Sequence, residues 1–227
     1  MLIAGIDTTG VALSVALIEN DVLLGETFLH GGKKHLATLM PALQGLYEMT
    51  GRSVQQTDVF GLSIGPGSFT GIRIGAAAVQ ALAQSTEKPV AQVDSLRALC
   101  ENMPFEGVRC AVMDARRGEV YAAAYRGDYC ILPAQAISLS DLLAALPKEP
   151  VLFFGDGVPA YGDQIRQEFS NAVFAPQELL YQRGASVCRV AAKMVRTGQL
   201  SRFDEITPRY LRLSQAERMK QERNHEK

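Results

Sequence analysis

Two segments of this chain end an apolar run on an aspartate and follow it with a polar turn. They are Leu2-Ile-Ala-Gly-Ile-Asp7-Thr8-Thr9 and Cys110-Ala-Val-Met-Asp114-Ala-Arg-Arg-Gly118. A carboxylate at a strand end can serve a metal or an attacking water, and turn N–H groups and hydroxyls can hold phosphate oxygens. Neither aspartate is followed at once by the glycine that lets backbone approach a phosphate closely. Arg116 and Arg117 occupy the second turn, where they could meet an anion; ordinary surface ion pairs are the commoner use of such arginines. A third segment, Gly65-Pro-Gly-Ser-Phe-Thr-Gly-Ile-Arg-Ile-Gly75, opens a helix whose N-terminus favours anions. It has no lysine in the P-loop position, so a tight strand-to-helix turn is the stronger reading. Gly155-Asp156-Gly157 also lies between a strand and a helix. Its acidic side chain makes a helix-capping turn at least as good an account as a nucleotide loop.

Other chemistries find little support. The histidines are His30, His35 and His225, and His30 and His35 lack the four-residue spacing of a helical zinc pair. Ser68 has no identifiable base. Cys100, Cys110, Cys130 and Cys188 form no C-x-x-C pair, which points to free thiols rather than zinc or redox sites. No catalytic residue and no metal ligand is assigned. A net charge of -1 argues against a chain that grips RNA by itself, because phosphate binding needs a basic surface. The N-terminus meets Asp7 with no basic flank, so it reads as a strand rather than a secretory signal. With no uncharged stretch long enough to span a bilayer, a cytoplasmic protein is expected.

The elements that must position these residues follow from periodicity. Strands are predicted at 2–7, 11–18 and 22–28, with a turn at Glu19-Asn20-Asp21. A helix over 35–50 carries Leu36, Leu39, Met40, Leu43, Leu46 and Tyr47 at helical spacing and stops at Gly51. Pro41 means that this helix either kinks or begins its regular part there. A buried strand at 59–64, a small-residue helix over 71–85, a strand at 90–93 and a helix from Asp94-Ser95 complete the first half. IAGIDTTGVALSVAL (3–17) lies over CAVMDARRGEVYAAA (110–124) with Asp7 on Asp114, which argues for two lobes on one plan. The second half adds strands at 129–132 and 151–154 and helices near 140–146, up to Phe169, and over 178–197. The boundary falls around Asn102 to Gly107, giving lobes at 1–104 and 105–214, with the last helix packing back on the first lobe. The mixed-charge end, 215–227, reads as a flexible tail.

The helix over 71–85 carries Gly71, Gly75, Ala78 and Leu82 on one stripe and Ile72, Ala76, Val79 and Ala83 on the next. That arc is wider than one core-facing stripe and suggests burial from two directions. Packing within the domain and packing against a partner helix both fit.

IDTTGVALSVAL, GPGSFTGIRIG (65–75), DARRGEVYAA (114–123), the GDG at 155–157 and the closing Pro208-Arg-Tyr-Leu-Arg212 together resemble the TsaB (YeaZ) family in order and spacing. The resemblance spans nearly the whole chain. It implies an α/β, actin-like (ASKHA) fold of two small lobes, each a mixed sheet flanked by helices. It also implies a non-catalytic role in forming N6-threonylcarbamoyladenosine in tRNA. The partners it implies are the longer paralogue TsaD, which carries the metal and catalytic site, and the ATPase TsaE, with tRNA reached only through the complex. The partner surface would comprise Leu36, Leu39, Met40, Leu43, Tyr47, Gly71, Gly75, Ala78 and Leu82, and would pair with itself in a homodimer when TsaD is missing. Asp7, Thr8, Thr9, Asp114, Gly155 and Gly157 would be a vestigial nucleotide site, leaving room for weak ATP or ADP binding in the complex. The alternative is a small kinase of the same fold, such as a type III pantothenate kinase. Such a kinase should carry glycine-containing phosphate loops where this chain has DTT and DARR. A third reading, a purely structural dimerisation module, predicts no effect on tRNA modification when the gene is removed.

Overall fold

Alternating apolar residues at the N-terminus build three antiparallel strands, β1 (Leu2–Asp7), β2 (Ala12–Glu19) and β3 (Val22–His30). The turn between β2 and β3 places Asn20 and Asp21 at φ 48° and 67°. This is left-handed backbone, which these short polar residues tolerate and a tight hairpin requires. The structure, a computed structural model, describes residues 1–31 and 34–212.

Helix α1 (His35–Thr50) carries the exposed Pro41 within it, so its regular part does not begin at that proline. It ends on Gly51, whose φ of 65° suits glycine at a helix C-terminus. Strand β4 (Val59–Gly65), helix α2 (Phe69–Thr86), strand β5 (Val90–Asp94) and helix α3 (Ser95–Cys100) follow. Their sheet has the order β3-β2-β1-β4-β5, with β4 and β5 parallel to β1.

The second half contains β6 (Val108–Asp114), β7 (Glu119–Arg126), β8 (Tyr129–Ser138), α4 (Leu139–Ala145), β9 (Val151–Phe154), α5 (Gly157–Glu168) and β10 (Ala172–Phe174). Read from its other edge, this sheet runs β8-β7-β6-β9-β10. Each strand thus takes the place of its counterpart in the first sheet, and Asp7 and Asp114 end equivalent strands. The short β10 was not expected from sequence. Strand β8 runs past the expected end at 132, because it is an edge strand and tolerates Pro133.

The last helix, α6 (Gly184–Arg196), starts well after the expected position 178. Asn102 donates to the carbonyls of Leu179 and Tyr181, both at 2.7 Å, which holds that stretch out of the helix. Helices α1 and α2 bury Leu39, Leu43, Leu46, Val79 and Ala83 against one face of the first sheet, while α6 covers the other. Close approach of α6 depends on Gly5, where an added Cβ would lie 2.3 Å from the carbonyl of Gly184. The expected tail lies outside the described residues.

Candidate functional site

The turns after β1 and β6 face each other across a cleft of about 830 Å³. Asp7, at the end of β1, is fully buried. It accepts hydrogen bonds from Ser63 Oγ (2.5 Å), Thr9 N (2.8 Å) and Thr9 Oγ1 (2.7 Å). Burial raises its pKa; these hydrogen bonds and His35 act the other way. The Thr8 hydroxyl donates to the Gly71 carbonyl at 2.7 Å, and the Thr9 carbonyl accepts from Ser68 N at 2.7 Å. Ser68 caps α2 by accepting from Gly71 N at 3.2 Å. The first turn and the α2 N-terminus therefore satisfy one another. Thr9 N, a donor of the kind that can hold a phosphate, is directed at Asp7 instead.

The second hairpin is more open. Asp114 is half-buried and accepts from Arg116 N (2.8 Å) and Tyr161 OH (3.3 Å), and it pairs with the Arg116 guanidinium at 3.2 Å. Arg116 and Arg117 sit at φ 66° and 59°, and Arg116 serves the local ion pair that surface arginines commonly make. Asp156 lies at the start of α5 but makes no side-chain cap; its Oδ1 accepts from Asp114 N at 3.1 Å. Burial pushes the Asp156 carboxyl up to about 6, and the Asp114 carboxylate adds to the rise. Gly155 and Gly157 meet β6: a Cβ would lie 2.2 Å from the Val112 carbonyl at Gly155 and 2.7 Å from Val112 Cγ1 at Gly157. Close packing on β6 accounts for both glycines.

The other reactive residue types are accounted for locally. His35 Nε2 lies 3.1 Å from the Gly10 carbonyl, and His30 stacks on Tyr181 with centroids 4.4 Å apart. Burial drives the thiols of Cys100 and Cys188 up to about 12, far from a nucleophilic thiolate at neutral pH. Among the described residues no three His, Cys, Asp or Glu side chains converge as metal ligands, and no helix is long and apolar enough to cross a membrane.

The expected partner surface divides in two. Leu36 and Met40 are exposed on α1, and Ala78 and Leu82 are half-buried on α2. Leu39, Leu43 and Tyr47 point into the chain's own core, and Tyr47 OH lies 2.5 Å from Thr57 Oγ1. Gly71 and Gly75 were expected to admit a partner helix, and the structure corrects this. A Cβ would lie 2.0 Å from Thr8 O at Gly71 and 2.6 Å from Thr8 Oγ1 at Gly75, so both glycines make room for the chain's own first hairpin. Sequence reasoning missed Ser63, Tyr161 and the cleft-lining residues 209–212. Only the Pro208-Arg-Tyr-Leu-Arg212 pattern pointed to any of them.

Two five-stranded mixed sheets of matching order, enclosing a cleft at their aspartate-ended strands, define an actin-like (ASKHA) α/β protein. Residues 30–220 match the family model of TsaD, tRNA N6-adenosine threonylcarbamoyltransferase. The chain is 30% identical to the tRNA threonylcarbamoyladenosine biosynthesis protein TsaB of Bacillus subtilis, over 96% of each chain. It is 29% identical to the Escherichia coli protein of the same name, over 93% of this chain and 95% of that one. The fold of YeaZ from Pseudomonas aeruginosa superposes with a TM-score of 0.80 at 24% identity, covering 92% of this chain and 99% of that one. The chain belongs to the TsaB (YeaZ) family.

Proposed function

We propose that this chain is a non-catalytic cytoplasmic subunit needed to form N6-threonylcarbamoyladenosine in tRNA. It supports a TsaD paralogue, with TsaE joining the assembly and tRNA reached through the complex. The observation that carries the non-catalytic reading is Asp7. The residue best placed for chemistry is fully buried and spends its hydrogen bonds on Thr9 and Ser63 of its own chain. Docking would use the outward residues of α1 and α2, Leu36 and Met40 with the exposed Ala77, and the same face would form the homodimer when TsaD is missing. The purified chain should neither hydrolyse ATP nor modify tRNA, and should restore modification when added to TsaD and TsaE. ATP turnover by the chain alone, lost in Asp7→Asn with the fold intact, would establish the kinase reading instead.

A further inference from the structure

Residues 207–212 cross the mouth of the cleft, with 207–210 fastened to the first half and Arg212 to the second sheet. On the first sheet, Thr207 N donates to Gln92 Oε1 (2.7 Å) and Arg209 N to the Ile64 carbonyl (2.8 Å). The Arg209 guanidinium pairs with Asp94 at 2.5 Å. The Arg209 carbonyl lies so close to Gly65, itself at φ 114°, that a Cβ there would come within 2.4 Å. Tyr210 packs on Phe69 with centroids 4.6 Å apart, and its hydroxyl accepts from Arg73 Nε at 3.2 Å. Arg212 then reaches the second sheet, donating to the Ala115 carbonyl at 2.8 Å and pairing with Glu119.

Gln182 meets the cleft-lining Gly10, and two further joints between the lobes lie away from the cleft. Helix α3 leads into β6, and Asn102 ties the 179–181 stretch to α6 by accepting from Ser186 Oγ at 2.8 Å. None of the residues of these two joints lines the cleft, whereas Arg209, Tyr210, Leu211 and Arg212 do. Two lobes joined along one side can hinge about that side. A tie across the mouth removes the freedom.

We infer that residues 207–212 form a clasp that holds the two lobes at one angle and keeps the cleft from opening and closing. The clasp does not depend on which partner the chain serves. The ion pair that reaches across, Arg212 with Glu119, is half-buried, so salt screens it less than it would a pair at the open surface.

The test measures a distance between the lobes by pulsed electron resonance on the full chain. Spin labels go on Val22→Cys in β3 and Gln167→Cys in α5, both exposed, with the exposed Cys130 changed to serine. Cys100, Cys110 and Cys188 are buried and do not react. Labelled protein is diluted with unlabelled protein so that only distances within one molecule are read. The parent is expected to give one narrow distance, unchanged by ATP with magnesium. Arg212→Ala and Glu119→Gln are each expected to broaden the distribution roughly twofold, as freed hinge motion would. Circular dichroism confirms the fold of each variant. Should Arg212→Ala fail to fold, Glu119→Gln decides alone, since its side chain sits at the rim and keeps its shape. A folded variant with the parental width overturns the clasp, as does a parent that already samples two distances.

Discussion

Asp7 gives the sharpest separation between a structural and a chemical role. Replacing it by alanine strips the acceptor from three donors in a site with no exposure to solvent. The two hydroxyls, of Ser63 and Thr9, can rotate toward other partners, and each lost bond costs about 0.5–1.5 kcal/mol. The Thr9 N–H cannot rotate, and leaving it unpaired costs about 1–3 kcal/mol. The sum is about 2–6 kcal/mol, or a fall in melting temperature of roughly 10 °C for a chain of this size. Asp7→Asn behaves differently. Its carbonyl still accepts from both Thr9 groups, its amide can donate to a rotated Ser63 hydroxyl, and the buried charge is gone. Its stability should lie within about 1 kcal/mol of the parent at pH 7.

The sign of the pH dependence follows from the raised pKa of Asp7. The folded state takes up the proton more readily than the unfolded chain, so protonation favours folding. The contribution is fully present below the ordinary value of 3.8 and is lost as pH rises through the folded value. The parent should therefore gain on Asp7→Asn as pH falls from 7 toward 4. Thermal unfolding reads both effects, and tRNA modification by the reconstituted complex reads function. Asp7→Asn should modify tRNA at close to the parental rate. Parental melting with modification abolished would refute the structural account, since only a role in chemistry needs the charge. An alanine variant that melts like the parent would refute the hydrogen-bond account.

Gly71→Ala should destabilise by several kcal/mol, on the order of a severe overpacking defect, because its Cβ would sit 2.0 Å from Thr8 O. Gly45→Ala, within α1 and with open space around the new Cβ, should stabilise by about 0.5–1 kcal/mol; denaturant unfolding measures both. Asp156→Asn removes a carboxyl raised from 3.8 to about 6, whose protonated-state stability disappears as pH climbs between those values. The variant should be more stable than the parent at pH 7 by up to about 3 kcal/mol, with the advantage vanishing near pH 4 in a series of melting curves. Met40→Glu and Ala77→Arg should fold normally and lose both self-association and TsaD binding, read by ultracentrifugation and pull-down. Leu39→Glu should instead fail to fold, because Leu39 is 2% exposed within the chain's own core.

The strand plan was legible because period-two alternation is local, and the match of IAGIDTTGVALSVAL to CAVMDARRGEVYAAA carried the duplication. The orientation of α2 was not. Gly71 and Gly75 read the same whether they admit a partner helix or the chain's own Thr8, and only the tertiary position of the first hairpin decides. The start of α6 was misplaced for a similar reason. Residues 178–183 carry helix-compatible side chains, but a distant Asn102 claims the carbonyls of Leu179 and Tyr181. Gln182 shows the same limit. Its buried amide lies against Gly10, where a Cβ would come within 2.3 Å of Oε1, a contact no periodicity reveals.

The two hairpins begin from one backbone plan and hold their aspartates with different neighbours. On β1, neighbours at Thr9 and Ser63 supply donors to Asp7, so burial is tolerable and the carboxylate turns inward. On β6, the equivalent Asp114 sits beside a second acid, Asp156, and the pair is moderated by Arg116 and Tyr161 at the rim. Two carboxyls this close favour protonation of one of them, which is where the rise at Asp156 comes from beyond burial itself. A phosphate-binding cleft needs the reverse, with donors left free on both turns and acids spaced to share a cation. Here the Thr9 donors are directed at Asp7, and Asp156 accepts from the backbone of the second turn. Within the actin-like cleft, Asp7, Asp114 and Asp156 are thereby held by hydrogen bonds from the chain's own turns and from Ser63.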